Sequence, residues 1–197
     1  MIILFGLAGS GKGTQGKALS EIFGWKWLSV GQAIRDTGEY KEIIDGGNLI
    51  PDEDVINLMN KQIEKAEAEG FDVILDGYPR SKAQAEYMAN HMADRINGAI
   101  ILEVPKDELL NRLALRGRDD DKERSSIKRR FEIFEQNICS ILPLLEAKNI
   151  PVTRVDGVGS VEEVTARLVK VVEEFDPNAI EQSTDVNGGE IEQSYGE

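Results

Sequence analysis

A chain of 197 residues is long enough for one α/β domain with a full core, and 41% hydrophobic with 30% charged residues suits a globular protein. No apolar run approaches the ~18 residues of a membrane span, and a net charge of −13 opposes broad nucleic-acid binding, which needs a basic surface. The lone cysteine, Cys139, excludes an intramolecular disulfide and a four-cysteine zinc clip, and a reducing, cytoplasmic setting fits it.

Residues 1–5 are apolar and meet Gly6 at once, so they read as a first strand and not as a signal peptide. The next nine residues, Gly-Leu-Ala-Gly-Ser-Gly-Lys-Gly-Thr, form a glycine-rich turn opening a helix near Lys12. Glycines let successive backbone N–H groups wrap a phosphate chain, and the helix N-terminus adds its positive dipole. Gly9, Ser10, Gly11, Lys12, Gly13 and Thr14 are therefore expected around a nucleotide's phosphates, with the Lys12 ammonium on the β- and γ-phosphates. The generic phosphate loop has Ser or Thr directly after its lysine; here Gly13 intervenes and Thr14 follows.

A short strand is expected near residues 27–29. Val55, Ile56, Met59, Ile63 and Ala66 then make one helical stripe, closed by Gly70. Residues 71–75 form an apolar strand ending in Asp76, at the carboxyl edge where α/β sheets bind ligands. A carboxylate there can hold Mg²⁺ through its water shell. Gly77 permits close backbone approach, Pro79 stiffens the turn, and Arg80 offers a bidentate fork for phosphate. Ser81 to Gln84 is a capping-box pattern, which gives Gln84 a purely structural reading. His91, the lone histidine, lies in a polar helix and is read as non-catalytic.

Further strands are expected at residues 99–104 and 152–155. Between them Arg112, Arg116, Arg118, Arg124, Arg129 and Arg130 crowd an otherwise acidic chain. Phosphoryl transfer needs such positioned cations, and Arg112 and Arg116 share one helix face. Ser125 and Ser126 are expected to cap a helix reaching about residue 148, broken or kinked at Pro143. Ser160 to Glu163 reads as a capping box for the last helix, with Val164, Leu168, Val171 and Val172 inward. From Asp176 onward there are six acids and no Lys or Arg, so residues 176–197 read as a solvated, disordered tail after a single domain of residues 1–175.

Lys12-Gly13-Thr14-Gln15, the segment Ser29-Val30-Gly31-Gln32-Ala33-Ile34-Arg35, the Asp76-Gly77-Tyr78-Pro79-Arg80 turn and Gly117-Arg118-Asp119-Asp120-Asp121 resemble, in order, the motifs of the adenylate kinases. The resemblance spans residues 1–175. It implies a P-loop NTPase fold with a five-stranded parallel sheet of order 2-3-1-4-5 flanked by helices. A nucleoside monophosphate-binding flap at about 29–58 and an unusually short lid at about 116–125 would complete it. The implied reaction is ATP + AMP = 2 ADP, with Mg²⁺ accompanying ATP, no zinc, and a monomeric, cytoplasmic enzyme that meets neither nucleic acid nor membrane. Lys12, Arg80, Arg116, Arg118 and Arg130 would be catalytic. Arg112 would stack on the adenine of ATP, Arg116 touch its phosphates, and the Gly159 carbonyl take its amino group. Arg35 would hold the AMP phosphate opposite Arg80, Arg118 and Arg130 would span both phosphates, and Gln84 would read the AMP base. Val30, Asn48, Leu49, Ile50, Gly77, Tyr78 and Pro79 would complete the AMP site, Asn48 and Ile50 through backbone groups.

Departures keep alternatives open. Ala8 replaces the family's usual proline, Val30 its threonine and Gln32 its aspartate. Val30 and Gln32 favour a sister kinase acting on UMP, CMP or another monophosphate, which Gln84 opposes. A non-catalytic ATP-binding sensor signalling through the acidic tail is the reading from another class.

Overall fold

Alternate residues of the central strands face opposite sides of the sheet, and nearly all are apolar. Such strands can only be satisfied by helices on both faces. The computed structural model, which describes residues 1–117, 121 and 123–179, has that arrangement. Strands β1 (Ile2–Gly6), β2 (Lys26–Ser29), β3 (Val73–Asp76), β4 (Gly98–Glu103) and β5 (Val152–Asp156) form one parallel sheet of order β2-β3-β1-β4-β5. Helices connect them: α1 (Lys12–Phe23), α2 (Val30–Thr37), α3 (Lys41–Asp45), α4 (Asp52–Ala68), α5 (Lys82–His91), α6 (Lys106–Arg116), α7 (Arg124–Glu146) and α8 (Val161–Phe175). The expected strand order and the five strands are all present.

The two faces bury separate sets of side chains. Ile2, Leu4, Ile74, Ile100 and Leu102 pack with Leu19 and Phe23 of α1 and Val164, Leu168 and Val172 of α8. Ile3, Phe5, Val73, Leu75, Ala99 and Ile101 pack on the other face with α2, α4, α5 and α7. Each fully buried Ile or Leu contributes about 1.5–3 kcal/mol against exposure. A third cluster, Leu109 and Leu113 of α6 with Ile127 and Phe131 of α7, ties the phosphate loop's flank to both helices.

Helix ends follow local chemistry. Ser160 and Glu163 make the expected reciprocal capping box. After α4, the Gly70 and Phe71 amides return to the carbonyls of Glu67 and Ala66, closing the helix as expected. Two expectations fail. The N-cap of α7 is Glu123, not a serine, and Ser126 is buried. Burial of Ile127 and Phe131 sets where that helix begins, overriding the capping preference of Ser125 and Ser126. Pro143 does not break α7: it lies in the final turn, where Ile141 and Leu145 are buried on either side and hold the turn in place. The first residues of the segment expected to be a solvated tail are packed. Asp176 accepts from the Asn97 side-chain amide and Ala179 is buried against the β1 face, while residues 180–197 lie outside the described set.

Candidate active site

All five strands end at one edge, and the loops leaving that edge enclose a cleft of about 750 Å³. Its floor is the turn from β1 to α1. Gly11 is the N-cap of α1 at φ 97 with no side-chain cap, so the first amides of the helix point into open space. A side chain at that φ would be strained, which explains the glycine. Lys12 folds back over the turn, donating to the carbonyls of Gly6 at 2.7 Å and Leu7 at 3.0 Å.

The Lys12 ammonium is held near pKa 8, well below its ordinary 10.5. Burial is the largest cause, and the charges of Arg80, Arg116 and Arg130 add to it, while Asp76 works the other way. Three guanidinium groups facing one ammonium leave a space that favours an anion.

Arg80 leaves the turn after β3 and donates from Nε to the Gly77 carbonyl at 2.8 Å. It meets Arg35 of α2 over Gly31. A Cβ at Gly31 would lie 3.3 Å from Arg80 Nη2 and 3.4 Å from Arg35 Nη1, so both forks use the space a side chain would take. Arg112 donates to Glu108 and to the Gly157 carbonyl. Arg116 makes a two-point pair with Asp121 at 2.6 and 2.7 Å, and Arg130 reaches the same carboxylate at 2.7 Å. Burial disfavours the charged form of Asp121, but the hydrogen bonds from Arg116 and Arg130 outweigh it and hold the carboxyl below its usual range.

Asp76 is buried at the end of β3, with a carboxylate oxygen 3.6 Å from where a Cβ on Gly13 would sit. No hydrogen-bond partner is found for that carboxylate among the described residues. A single carboxylate beside a phosphate cradle suits Mg²⁺, which keeps most of its waters and takes phosphate oxygens as further ligands.

Most of the expected residues converge here. Of the residues expected at ATP, Gly9, Ser10, Gly11, Lys12, Gly13, Thr14, Arg112, Arg116 and Gly159 line the cleft. Of those expected at AMP, Val30, Arg35, Asn48, Leu49, Ile50, Gly77, Pro79, Arg80, Gln84 and Arg130 line the same cleft, with Asp76. Tyr78 does not join them: its side chain is fully buried in the core, where burial pushes its hydroxyl pKa up. Arg118 lies outside the described residues. Arg124 and Arg129 do not line the cleft, and Arg129 instead donates to the Asn48 side chain at 3.3 Å. His91 is stacked on Tyr87, away from the cleft.

Some participants gave no sequence signal. Trp27 of β2 lines the cleft beside Gly13 and Gly16, with the Lys17 ammonium 5.1 Å from its ring centroid. Ile133, Phe134 and Ile138 of α7 supply an apolar wall. Asp121, which sets the spacing of two arginines, stood in a quoted motif without a role.

Cations gathered at the carboxyl edge of a parallel sheet, around a glycine-rich turn, make this a phosphotransferase of the P-loop class. Sequence comparison narrows the class. The adenylate kinase family model matches residues 4–150. An adenylate kinase of Thermus thermophilus is 34% identical over 182 residues, covering 85% of this chain and 94% of its own. That of Maricaulis maris is 37% identical over 188 residues, covering 88% and 98%, and that of a Mycobacterium species is 37% identical over 183 residues, covering 87% and 98%. The chain belongs to the adenylate kinase family.

Proposed function

We propose that this enzyme transfers the γ-phosphoryl of ATP directly to AMP, with the cleft's cations as its catalytic apparatus. The observation that carries the reading is the convergence of Lys12, Arg35, Arg80, Arg116 and Arg130 on one cleft, with Asp76 buried beside them at the end of β3. Transfer of this kind needs in-line positioning and charge neutralisation more than covalent chemistry. Lys12 leaves the Gly6 and Leu7 carbonyls to meet the β- and γ-phosphates, assisted by the open N-terminus of α1. Arg112 and Gly159 flank the adenine of ATP. Arg35 and Arg80 grip the AMP phosphate over Gly31, and Arg116 and Arg130, with Arg118 from the lid, meet the charge that spreads over the moving phosphoryl group. Asp76 would hold Mg²⁺ through water, and the ion would offset phosphate charge when bound.

Val30, Asn48, Leu49, Ile50, Gly77 and Pro79 frame the acceptor base and sugar in this reading, with α2, α3 and the start of α4 as the flap. A cytoplasmic monomer with no nucleic-acid partner is the setting that goes with it; among the described residues no helix is long and apolar enough to cross a membrane.

The test is ADP formation from Mg·ATP with AMP, GMP, UMP, CMP and dTMP in turn, with Lys12→Ala as control. AMP is expected to be strongly preferred, and the control to lose about 100–1,000-fold in kcat. Preference for a pyrimidine would move the acceptor to the sister kinases.

A further inference from the structure

Behind the acceptor lobe, one side-chain amide is held at both ends. Gln84 is 1% exposed yet reaches the cleft wall. Its Oε1 accepts from the Arg80 backbone N–H at 2.8 Å, and its Nε2 donates to Asp52 Oδ1 at 2.8 Å. The Ser81 hydroxyl donates to the same Asp52 oxygen at 2.6 Å. Asp52 is the first residue of α4, so the clamp joins the acceptor flap to the turn after β3.

A carboxylate only accepts and a backbone N–H only donates. Turning the Gln84 amide by half a revolution would set its NH₂ against the Arg80 N–H and its oxygen against the Asp52 carboxylate. Both bonds would be lost and two like-to-like contacts would replace them. The amide therefore has one orientation, and each of its atoms keeps one unused position, an acceptor lone pair and a donor hydrogen in fixed order. Adenine answers that order, since its 6-amino group donates and its N1 accepts. Hypoxanthine reverses it, because O6 accepts and N1–H donates. We propose that Asp52 is a positioning residue that fixes the Gln84 amide and thereby makes the acceptor site select 6-aminopurine over 6-oxopurine monophosphates. The inference rests on AMP being the acceptor, as argued above, and adds to that reading the device that enforces it. Sites built to hydrogen-bond a particular group discriminate more sharply than apolar pockets do, because the wrong ligand leaves buried polar groups unpaired.

IMP is the probe, since it differs from AMP only at the edge in question. The kcat/KM values for AMP and IMP with Mg·ATP are compared in the wild type, Asp52→Ala, Asp52→Asn and Ser81→Ala. Asp52→Ala is expected to lower the AMP:IMP ratio about tenfold, the value of one hydrogen bond to a charged group. Asp52→Asn, whose side-chain oxygen still accepts, should keep the ratio within about threefold of wild type. Ser81→Ala, which leaves Asp52 less firmly held, should lower the ratio by a smaller factor, and it decides the matter if Asp52→Ala does not fold. Equal losses for AMP and IMP, leaving the ratio unchanged, would mean that Asp52 only starts a helix and would overturn the proposal. Failure of the underlying reading looks different, as the wild type would then form no ADP with AMP.

Discussion

At the scale of single residues, Lys12 carries the sharpest consequence. Its ammonium stays near pKa 8 because burial and three arginines oppose its charge. A bound triphosphate favours that charge and raises the value, so the bound state holds more protons than the free state at alkaline pH. The sign follows: ATP affinity is flat below pH 8 and falls as pH rises above it. At pH 8.5, calorimetry in two buffers of different ionisation enthalpy should show net proton uptake on ATP binding, larger than at pH 7. Lys12→Met should take up none, and equal uptake by both proteins would assign the proton elsewhere. Lys12 was legible in the sequence because its whole context is local, nine residues between a strand and a helix. The Asp52 clamp was not, since its partners lie 29 and 32 residues away and both donor groups also fit an ordinary helix cap. Nor was the burial of the Tyr78 side chain, because a motif keeps no record of which way a side chain points.

Between elements, the decisive tie is Asp121, the carboxylate that binds the last residue of α6 to the first turns of α7. Its side chain is 2% exposed, while Arg116 and Arg130 are 29% and 18% exposed. Removing it leaves two guanidinium groups repelling each other where they are needed in parallel. Asp121→Asn should cost roughly 1.5–3 kcal/mol in urea denaturation at neutral pH. Because the folded-state pKa lies below the ordinary value near 3.8, the contribution is complete above that value and is lost as pH falls through the lower one. The stability gap between variant and wild type should therefore close in strong acid, and a gap that is constant with pH would rule out the charge as its source. The elements themselves were largely readable: buried strands show as apolar runs, and the stripes on α4 and α8 keep helical period. The start of α7 was not, because its boundary is decided by Leu109 and Leu113 of another helix, against which Ile127 and Phe131 pack. Pro143 was misjudged for a related reason, as the burial of Ile141 and Leu145 outweighs the one hydrogen bond that a proline forfeits.

For the whole molecule, the question is how well the cleft is closed to water. On the side assigned above to the acceptor, Val30 and Arg35 of α2, Asn48, and Val55 of α4 line the cleft, and Asn48 accepts a hydrogen bond from Arg129 of α7. In the proposed reading the lid is the connection between α6, which ends at Arg116, and α7, which begins at Arg124, so only residues 117–123 can form it. Lids exclude water from the reacting phosphates and complete the catalytic set. Arg116 and Arg130, which the proposed mechanism sets against the γ-phosphate, sit on α6 and α7 and are held by Asp121. A lid that short gives little chain to exclude water, and a site whose cations are held by the chain itself can then use water as an acceptor. Steady phosphate release from Mg·ATP alone should therefore exceed the buffer background, fall when AMP fills the acceptor lobe, and disappear in Lys12→Ala. Release at the background rate would mean that the short lid seals as completely as a long one, leaving the flap and α7 to exclude water.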